Sequence, residues 1–438
     1  MSRVMRYGLA DLIAMLPTAG GRLQLRSGAM YRLWPALSRV AFAHRRTGAR
    51  NTRVIAIVGS LGKSTTTLAV AAVLDTPKHA GMLRNSWSSA ALAVLRIRPS
   101  QRHAVVEVGI AGPGQMRRYA RMVRPDIAVV TAVASEHHRS LGSLEATRDE
   151  KAWMVRALAP RGTAVLNGDD PNVLWMKGET KARIITFGFS PTCDVRAEDF
   201  HLDWPRGSRF ILHSFGQRRE VHVRFIGRHL VYPALSAIAV AHVEGVPLEV
   251  ALSRLASVAP VPGRMQPIVL PSGTVVLRDD FKSTLESIDS ALDALAEIPA
   301  RRIAVLGDVS EPQGNQGRIY RALGEKLGRI ASLVIVVGQR KSMQGYLSGA
   351  LRSGMPRSSV IHAGPTPQQA AAAVLRVLEP GDVLMIKGRD TQKLDRIRLI
   401  LQGRSVGCEL VFCNIRSTDC ERCPMLESGW GSRRAVMK

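Results

Sequence analysis

The chain has 438 residues, and its 61 lysine and arginine residues outnumber its 35 aspartate and glutamate residues, which gives a formal net charge of +26. At roughly 150 residues per domain, this length indicates about three domains. A hydrophobic content of 46% and a charged content of 22% are typical of a folded chain and exclude a disordered one. The longest apolar stretches fall well short of the ~18 residues of a spanning helix, so we do not expect an integral membrane protein.

The excess positive charge indicates an anionic partner, and nucleic acid, membrane lipid and a phosphorylated or carboxylated substrate all fit it. Five cysteines in a chain of this length do not make a disulfide framework, and they favour a reducing compartment. Asp11, Pro17 and repeated arginines interrupt any signal-peptide core. We therefore expect no secretion signal and a cytoplasmic protein.

The N-terminal segment, residues 1–50, is predicted to be a basic arm. Residues 1–53 hold ten arginines, one aspartate and no lysine or glutamate, with apolar residues between them. Two interpretations remain open. Amphipathic helices could turn their basic flank to an anionic membrane, at the inner face of the cell membrane, or the arm could pack on the next domain.

From Arg53 onwards, short β-branched runs alternate with stretches rich in alanine and leucine, which is typical of a parallel sheet buried on both faces. A helix is predicted from about Pro233 to Glu244, and the turn-forming segment Pro260–Pro267 is predicted to be a linker. A second, smaller α/β pattern follows and resembles a doubly wound domain. The predicted strands are Val54–Gly59, Ala104–Gly109, Ile127–Val133, Thr163–Asn167, Ile303–Gly307, Leu333–Gly338 and Asp382–Gly388.

The motif that carries most chemistry follows the first of these strands directly and opens a helical pattern. Glycines let backbone amides approach phosphate oxygens, Lys63 adds a full charge, and the Ser64 hydroxyl can reach a magnesium ion. The loop is shorter than the usual phosphate-binding loop, because Ile57 stands where that pattern has glycine. The predicted nucleotide-binding residues of this loop are Gly59, Ser60, Leu61, Gly62, Lys63, Ser64 and Thr65.

The shortened loop resembles that of the Mur ligase family of ATP-dependent amide ligases, and further segments along the chain match that family. Glu107-Val108-Gly109 with Pro113-Gly114 is similar to its E-x-G-x-x-x-P-G motif, and the stretch from Arg124 to Ser143 is similar to the segment that carries its histidine. The other matches are His137 at that histidine, Lys151 at the family's carbamylated lysine, Leu166–Asp170 at L-N-x-D-D, Gly263–Met265 at G-R-[MF], Leu306–Asp308, and Lys387-Gly388.

The resemblance implies a fold and a set of boundaries. It implies an α/β chain with a central P-loop ATPase domain, built on a mostly parallel sheet, and a smaller Rossmann-like C-terminal domain. We place the central domain at residues 51–260, the C-terminal domain at 261–402 and a cysteine-containing tail at 403–438. Within the family, the sequence pattern is nearest to the ligases that add D-alanyl-D-alanine, although we expect the basic arm in place of their UDP-sugar-binding N-terminal domain.

The resemblance also implies roles for residues, with ATP and Mg²⁺ as cofactors and a carboxylate acyl substrate and an amine as partners. Ser64 and Glu107 would hold one magnesium ion, and His137, or His138 instead, would hold a second with carbamylated Lys151. Carbamylation is chemically reasonable, because it converts a cation into an oxygen ligand. The remaining implied contacts are Lys63 with the β and γ phosphates, Asn167 near the adenine, Arg264 and Asp279 on the nucleotide, and Lys282 facing phosphate or the acyl carboxylate.

The implied activity is ATP-dependent amide or peptide bond formation through an acyl phosphate, in cell-wall peptide synthesis. One alternative is a poly-amino-acid ligase similar to the poly-γ-glutamate synthases. The segment from Asp279 to Ser287 supports some divergence on the acceptor side, because it departs from the D-x-Y-N-A-N-P-x-S pattern. A second alternative is a nucleotide-dependent protein that binds nucleic acid or membrane without ligase activity, although aromatic residues make up only 5% of the chain.

The tail holds four cysteines in the pattern C-x4-C-x6-C-x2-C. Four thiolates that end in C-x-x-C can ligate zinc or an iron–sulfur cluster. The alternative is that the first two lie in an apolar strand as small buried residues. The candidate ligands are Cys408, Cys413, Cys420 and Cys423.

Overall fold

The computed structural model describes residues 16–77, 87–135, 138–312, 314–338, 340–415 and 418–429, with the positions 13, 79, 81–83 and 85. The chain divides into two compact units. Tyr31–Pro260 forms one unit, here called the first unit. Val261 and the described residues after it belong to the second unit, together with the described residues before Tyr31. The domain boundaries at 50, 260 and 402 stay a prediction.

The first unit is built on an eight-stranded sheet in the order β2-β1-β3-β4-β5-β6-β7-β8. Strand pairs from β2 to β6 are parallel, and β6, β7 and β8 pair antiparallel. The strands are β1 Arg53–Val58, β2 His103–Glu107, β3 Ile127–Val130, β4 Thr163–Asn167, β5 Arg183–Gly188, β6 Val195–Asp203, β7 Gly207–Ser214 and β8 Gln217–Val223. The four predicted strands are therefore present, and they are nearly fully buried, as their continuous apolar runs require.

Helices connect most of the parallel strands of the first unit. The helices of this unit are α2 Trp34–Arg46, α3 Lys63–Val73, α4 Trp87–Leu95, α5 Gln115–Val123, α6 His138–Leu141, α7 Leu144–Arg156, α8 Pro171–Leu174, α9 Val231–Val243 and α10 Leu248–Ala256, with short 3-10 turns at Trp175–Glu179 and Arg228–Leu230. The predicted helix at Pro233–Glu244 corresponds to α9, whose side chains are mostly buried because it is apolar all round. Helix α1, Ala19–Arg32, precedes them in the chain.

The second unit has a six-stranded sheet in the order β13-β12-β11-β14-β10-β9, parallel except for β9. Its strands are β9 Gln266–Val269, β10 Val275–Asp279, β11 Arg302–Leu306, β12 Leu333–Val337, β13 Val360–Gly364 and β14 Val383–Lys387. Its helices are α11 Leu285–Ala296, α12 Gln316–Ile330, α13 Arg340–Arg352, α14 Pro367–Leu375 and α15 Asp395–Leu401, with 3-10 turns at Arg357–Ser359 and Asp390–Gln392. The architecture matches the predicted smaller doubly wound domain.

Helix α2 packs into the core of the first unit, which is the second of the two arrangements that the sequence left open for the arm. Ala41 is fully buried there, and Trp34 meets Tyr119 of α5 edge to face with ring centroids 6.4 Å apart. The Arg45 guanidinium is buried and donates hydrogen bonds to the carbonyls of Val123 and Ala49 and to the Asp126 carboxylate. Packing and hydrogen bonding thus fix this part of the arm.

Across the part of the chain that the structure describes, no helix is long and apolar enough to cross a membrane.

Candidate active site

The P-loop segment, residues 59–65, runs from the carboxyl end of β1 into the first turn of α3. Two glycines determine its backbone conformation. Gly59 has φ +146°, and a β-carbon there would lie 2.0 Å from Thr131 Oγ1. Gly62 has φ +79°, in the left-handed region, and caps the N-terminus of α3. Because the close approach excludes a side chain at the first position and the backbone disfavours one at the second, glycine is required at both.

Two lysine side chains meet at the backbone of this loop. Lys63 Nζ donates hydrogen bonds to the carbonyl oxygens of Gly59, at 2.8 Å, and Ser60, at 3.0 Å. Lys151 Nζ, from α7, donates to the same Gly59 oxygen at 3.0 Å. Both side chains are buried. The structure therefore brings together two of the predicted catalytic residues, although 88 positions of sequence separate them.

Ser64, in the first turn of α3, and Glu107, the last residue of β2, lie close together. Ser64 Oγ donates to Glu107 Oε1 at 3.3 Å, and Asn85 Nδ2 donates to the same oxygen at 2.5 Å. Hydroxyl and carboxylate oxygens are the ligands that Mg²⁺ prefers, so the chemistry of this pair fits the ion that the sequence predicts. Asn85 was missed by the sequence reasoning, because its surroundings carry no periodic pattern that would single it out.

Hydrogen bonds at two places fix helix α7, which carries Lys151. Ser143 caps its N-terminus by accepting a hydrogen bond from the Ala146 amide at 3.1 Å. The buried Glu150 carboxylate accepts hydrogen bonds from the amides of Gly114 and Met116 at the start of α5, at 2.9 and 2.7 Å. Lys151 is not a solvated surface lysine of this helix, because only 1% of its surface is exposed.

The predicted histidine lies beyond what the structure describes. His137 falls outside the described residues, and His138 begins α6 with a side chain that also falls outside them. The choice between the two as a magnesium ligand stays a prediction.

Asn167, at the end of β4, connects neighbouring loops of the first unit. Its Nδ2 donates to the Thr131 carbonyl at 2.8 Å, and its Oδ1 accepts the Asp169 amide at 3.0 Å. Thr131 in turn donates from its hydroxyl to the carbonyl of Leu61 in the P-loop. The side-chain amide thus supports the loop geometry, and its predicted place near the adenine stays a prediction.

The second unit has its own cluster at the carboxyl ends of β10 and β14. Lys387 is 1% exposed and donates to Asp279 Oδ2 at 2.7 Å, to the Lys282 carbonyl at 2.6 Å and to Ser287 Oγ at 3.1 Å. Burial lowers the pKa of the Lys387 ammonium, although Asp279 opposes that shift. Asp279 is therefore tied to a buried cation of its own unit, through a bond that the sequence did not predict.

Arg264 and Lys282 flank this cluster. The Arg264 guanidinium lies over the Phe281 ring, 4.3 Å from its centroid, as in a cation–π contact. Lys282 is partly exposed, and the two residues after it are buried as the chain enters α11. The predicted roles of Arg264 and Lys282 toward a substrate stay predictions.

The tail does not form the metal centre that its cysteine spacing predicted. Among the residues that the structure describes, no group of three or more histidine, cysteine, aspartate or glutamate side chains is placed to hold a metal ion, and the tail cysteines are free thiols. The predicted zinc or iron–sulfur site at Cys408, Cys413, Cys420 and Cys423 is thus not supported. Cys408 is buried against Ile415, and the Arg396 guanidinium donates a hydrogen bond to its sulfur at 3.3 Å.

Burial of the tail cysteines has a further consequence for their chemistry. It raises the pKa of the Cys420 thiol to about 12, so this thiol is protonated at neutral pH. The segment Cys408–Cys413 has no regular secondary structure, which also corrects the apolar strand that was the alternative.

Arg396 of α15 connects the tail to the loop that follows β14. Its guanidinium donates hydrogen bonds to the carbonyl oxygens of Cys408 and Leu410 in the tail and to that of Gln392 in the loop. Only 1% of Arg396 is exposed. The Cys413 amide adds a bond to the Thr391 carbonyl at 2.8 Å, so the tail packs against the loop after Lys387.

Comparison with known proteins places these arrangements in a family. Residues 57–241 match the Mur ligase middle domain, and residues 263–389 match the Mur ligase glutamate ligase domain. The UDP-N-acetylmuramoyl-tripeptide–D-alanyl-D-alanine ligase of Mycobacterium tuberculosis strain H37Rv is 31% identical over 374 residues, which cover 78% of this chain and 72% of the relative. The chain belongs to the Mur ligase family. The resemblance that the motifs predicted is thereby confirmed.

Other relatives and structures agree with this assignment. The ligase of the same name from Escherichia coli K12 is 30% identical over 280 residues, 62% of this chain and 61% of the relative. The crystal structure of MurF from Acinetobacter baumannii aligns with a TM-score of 0.74 at 22% identity, covering 85% of this chain and 81% of that one. MurF ligase from Thermotoga maritima in complex with ADP aligns with a TM-score of 0.73 at 19% identity over 84% and 83% of the two chains. The predicted fold class is confirmed.

Mur ligases are ATP-dependent enzymes that form amide bonds, and the family uses ATP and Mg²⁺. The expected enzyme class is therefore confirmed for this chain. The assignment of ATP and the ion to the P-loop segment and Glu107 stays a prediction.

Proposed function

We propose that the chain is a MurF-type ligase of peptidoglycan synthesis, which joins D-alanyl-D-alanine to a UDP-N-acetylmuramoyl tripeptide through an acyl phosphate. The single observation that supports the chemistry best is the convergence of Lys63 and Lys151 on the Gly59 carbonyl, beside the Ser64–Glu107 pair. The substrates are those in the names of the relatives.

Two steps make up the proposed reaction. The substrate carboxylate first attacks the γ-phosphorus of ATP, so that an acyl phosphate forms and ADP leaves. The amine then attacks the carbonyl carbon, phosphate leaves with the bonding electrons, and the amine gives up a proton to water. Such a reaction needs stabilisation of the charge at the phosphoryl group more than a covalent nucleophile, and Lys63 supplies a cation for it.

The metal and the second lysine have linked proposed roles. A bound Mg²⁺ would neutralise phosphate charge, with Ser64 and Glu107 as its ligands. The Lys151 ammonium would lose a proton, and its neutral Nζ would take up CO₂ and release a second proton, which gives an anionic carbamate as a further oxygen ligand. The histidine at position 137 or 138 would complete that ligand set.

The proposed contacts of the second unit are those that the resemblance implies. Arg264 and Asp279 would contact the nucleotide, and Lys282 would meet phosphate or the acyl carboxylate. The Lys387 ion pair supports this proposal for Asp279 only by fixing its carboxylate at the end of β10.

The decisive experiment measures ADP release by the purified full chain with ATP, Mg²⁺ and defined substrates. We expect release that requires both UDP-N-acetylmuramoyl tripeptide and D-alanyl-D-alanine, with the amide product identified by mass. Stimulation by glutamate or polyglutamate in their place would instead support the poly-amino-acid alternative. No stimulation by any carboxylate and amine pair would overturn the proposed activity.

A further inference from the structure

The first unit carries a strongly basic surface. Between Asp11 and Asp126, the sequence has only two acidic residues, Asp75 and Glu107. Glu107 is buried, and Asp126 itself is paired with the buried Arg45 at 3.1 Å. The arginines of this region that reach the surface therefore have few acidic neighbours in sequence.

Direct contacts bring the elements that carry these arginines onto one face. The Arg46 side chain of α2 donates to the Arg121 carbonyl of α5 at 3.1 Å, and His44 Nε2 lies 2.9 Å from the Ile97 carbonyl in the loop after α4. Burial lowers the pKa of Arg46, and the neighbouring Arg124 adds to that shift, which shows two like charges in proximity. We call this surface the basic face, and its arginines are Arg39, Arg46, Arg50, Arg98, Arg118, Arg121 and Arg124.

Helix α2 adds apolar side chains to the same surface. Its exposed arc carries Val40, 57% exposed, and Phe42, 42% exposed, while Leu33 just before the helix is 53% exposed. Arg39 and Arg46 lie between these positions on the helical wheel. The opposite side of α2, with Ala41 and Arg45, is buried in the core, so the exposed arc is available to a partner.

We infer that the basic face binds the surface of a membrane that contains anionic lipids. Arginines supply attraction to lipid phosphates, and apolar side chains of a surface helix enter the boundary between head groups and acyl chains. Charge alone would also suit nucleic acid. The interleaved Val40, Phe42 and Leu33 favour lipid, because apolar side chains are stabilised when they leave water for an acyl environment and are not stabilised along a phosphate backbone.

The test uses the purified full chain and sedimentation with vesicles of roughly three parts phosphatidylcholine to one part phosphatidylglycerol, compared with phosphatidylcholine alone. Arg118→Gln/Arg121→Gln should weaken binding to the anionic vesicles about 25-fold, since each basic residue contributes about fivefold. Glutamine has a helix propensity close to that of arginine, so α5 is retained. Arg218→Gln/Arg224→Gln, two exposed positions in and after β8, is the matched control and should bind like the parent.

A second pair of variants separates lipid from other polyanions. Val40→Ser should weaken binding to anionic vesicles several-fold, whereas Val250→Ser on α10, whose valine is 40% exposed, should not. The proposal is overturned if the double arginine variant binds anionic vesicles like the parent, or if neutral vesicles bind equally well. It is also overturned if Val40→Ser changes nothing and duplex DNA binds more tightly than vesicles, with the steep salt dependence of phosphate contacts.

Discussion

Lys63 and Lys151 donate hydrogen bonds to one and the same acceptor, the carbonyl oxygen of Gly59. From those two distances, the nitrogen atoms lie no more than about 6 Å apart, where two ammonium groups repel by about 3 kcal/mol at an effective dielectric constant of 20. Conversion of Lys151 to a carbamate would replace that repulsion by attraction. The geometry thus gives a physical reason for the modification at this lysine.

Lys151→Arg keeps a cation of similar length but cannot form the carbamate. We expect it to lower the ligase rate by about a hundredfold or more, since a ligand to the metal is lost. In the parent, ¹³C-bicarbonate should give a carbamate signal in the NMR spectrum, and this signal should be absent in the variant. Lys177→Arg, at an exposed lysine, is the control and should keep both signal and rate. Full activity of Lys151→Arg, or a parent indifferent to removal of bicarbonate, would contradict the carbamate.

Asn85 positions the Glu107 carboxylate through its 2.5 Å hydrogen bond. Asn85→Ala should therefore raise the Mg²⁺ concentration for half-maximal ATP turnover by about 10- to 100-fold, the usual effect of losing a partner behind a metal ligand. The rate at saturating Mg²⁺ should fall much less. Ser89→Ala on the following helix α4 serves as a control for local substitution. An unchanged Mg²⁺ dependence would mean that Glu107 does not serve the ion.

Glu244, just after α9, pairs with His103 at 2.8 Å and with Arg53 at 2.8 Å. Burial by itself would raise the pKa of the Glu244 carboxyl, but the hydrogen bonds from His103 and Arg53 outweigh it and lower that pKa. A lowered folded-state pKa stabilises the fold above the unfolded-state pKa, and this stabilisation is lost as the pH falls through the folded value.

Glu244→Gln should consequently lower the free energy of unfolding near pH 7 by about 1–3 kcal/mol, the cost of leaving buried partners unpaired. The difference from the parent should shrink at pH values below about 4, where the unfolded carboxyl is protonated. Urea unfolding followed by fluorescence across this range measures it. Glu249→Gln, at an exposed glutamate, should show no such pH dependence. A difference that grows toward acid would refute the assignment.

The buried pair of Asp279 and Lys387 predicts a strongly non-additive result. Lys387→Met leaves the carboxylate without its partner and should cost about 3–5 kcal/mol of unfolding free energy, as breaking a buried ion pair does. Asp279→Asn combined with Lys387→Met should recover a large part of that loss, since no charge is then stranded. Denaturant unfolding of both variants and of each single change provides the double-mutant cycle. Additive losses would show that the two groups do not interact.

The hydrogen bonds of Arg396 should determine how slowly the tail cysteines react with an alkylating reagent. Arg396→Leu removes donors to the Cys408 and Leu410 carbonyls, and each such charged hydrogen bond contributes about 1.5–3 kcal/mol. Alkylation of the tail cysteines should accelerate by at least about tenfold, measured by mass spectrometry under native conditions. Arg404→Leu, at an exposed arginine that lies 3.9 Å from Glu427, is the control. Equal labelling rates would show that other contacts hold the tail.

What the sequence predicted well depends on short-range patterns. The P-loop segment and the buried strand that leads into it follow from residue order, because a strand, a glycine turn and a helix are specified within a few residues. Lys151 was singled out only by the resemblance to the family. Asn85, Glu150 and the Asp279–Lys387 pair could not be predicted, since their partners come together only when distant strands meet at one sheet edge. The cysteine spacing was misleading for a related reason. Spacing permits a metal site, whereas the folded tail, as far as the structure describes it, does not place three or more ligand side chains to hold an ion.

The hydrogen bonds from Arg396 to the tail also limit where the chain can be truncated for expression. A boundary drawn at residue 389, where the family match ends, would remove Arg396 itself, whereas one at the end of α15 would keep Arg396, only 1% exposed, and remove the Cys408 and Leu410 carbonyls that accept from it. In the second case Arg396 would keep the Lys393 and Gln392 carbonyls as acceptors but lose both acceptors in the tail, and each hydrogen bond of a charged group contributes about 1.5–3 kcal/mol. Shortened versions that keep the two α/β units but omit residues 403–415 should therefore express poorly, and the tail belongs to the smallest piece of the chain worth purifying.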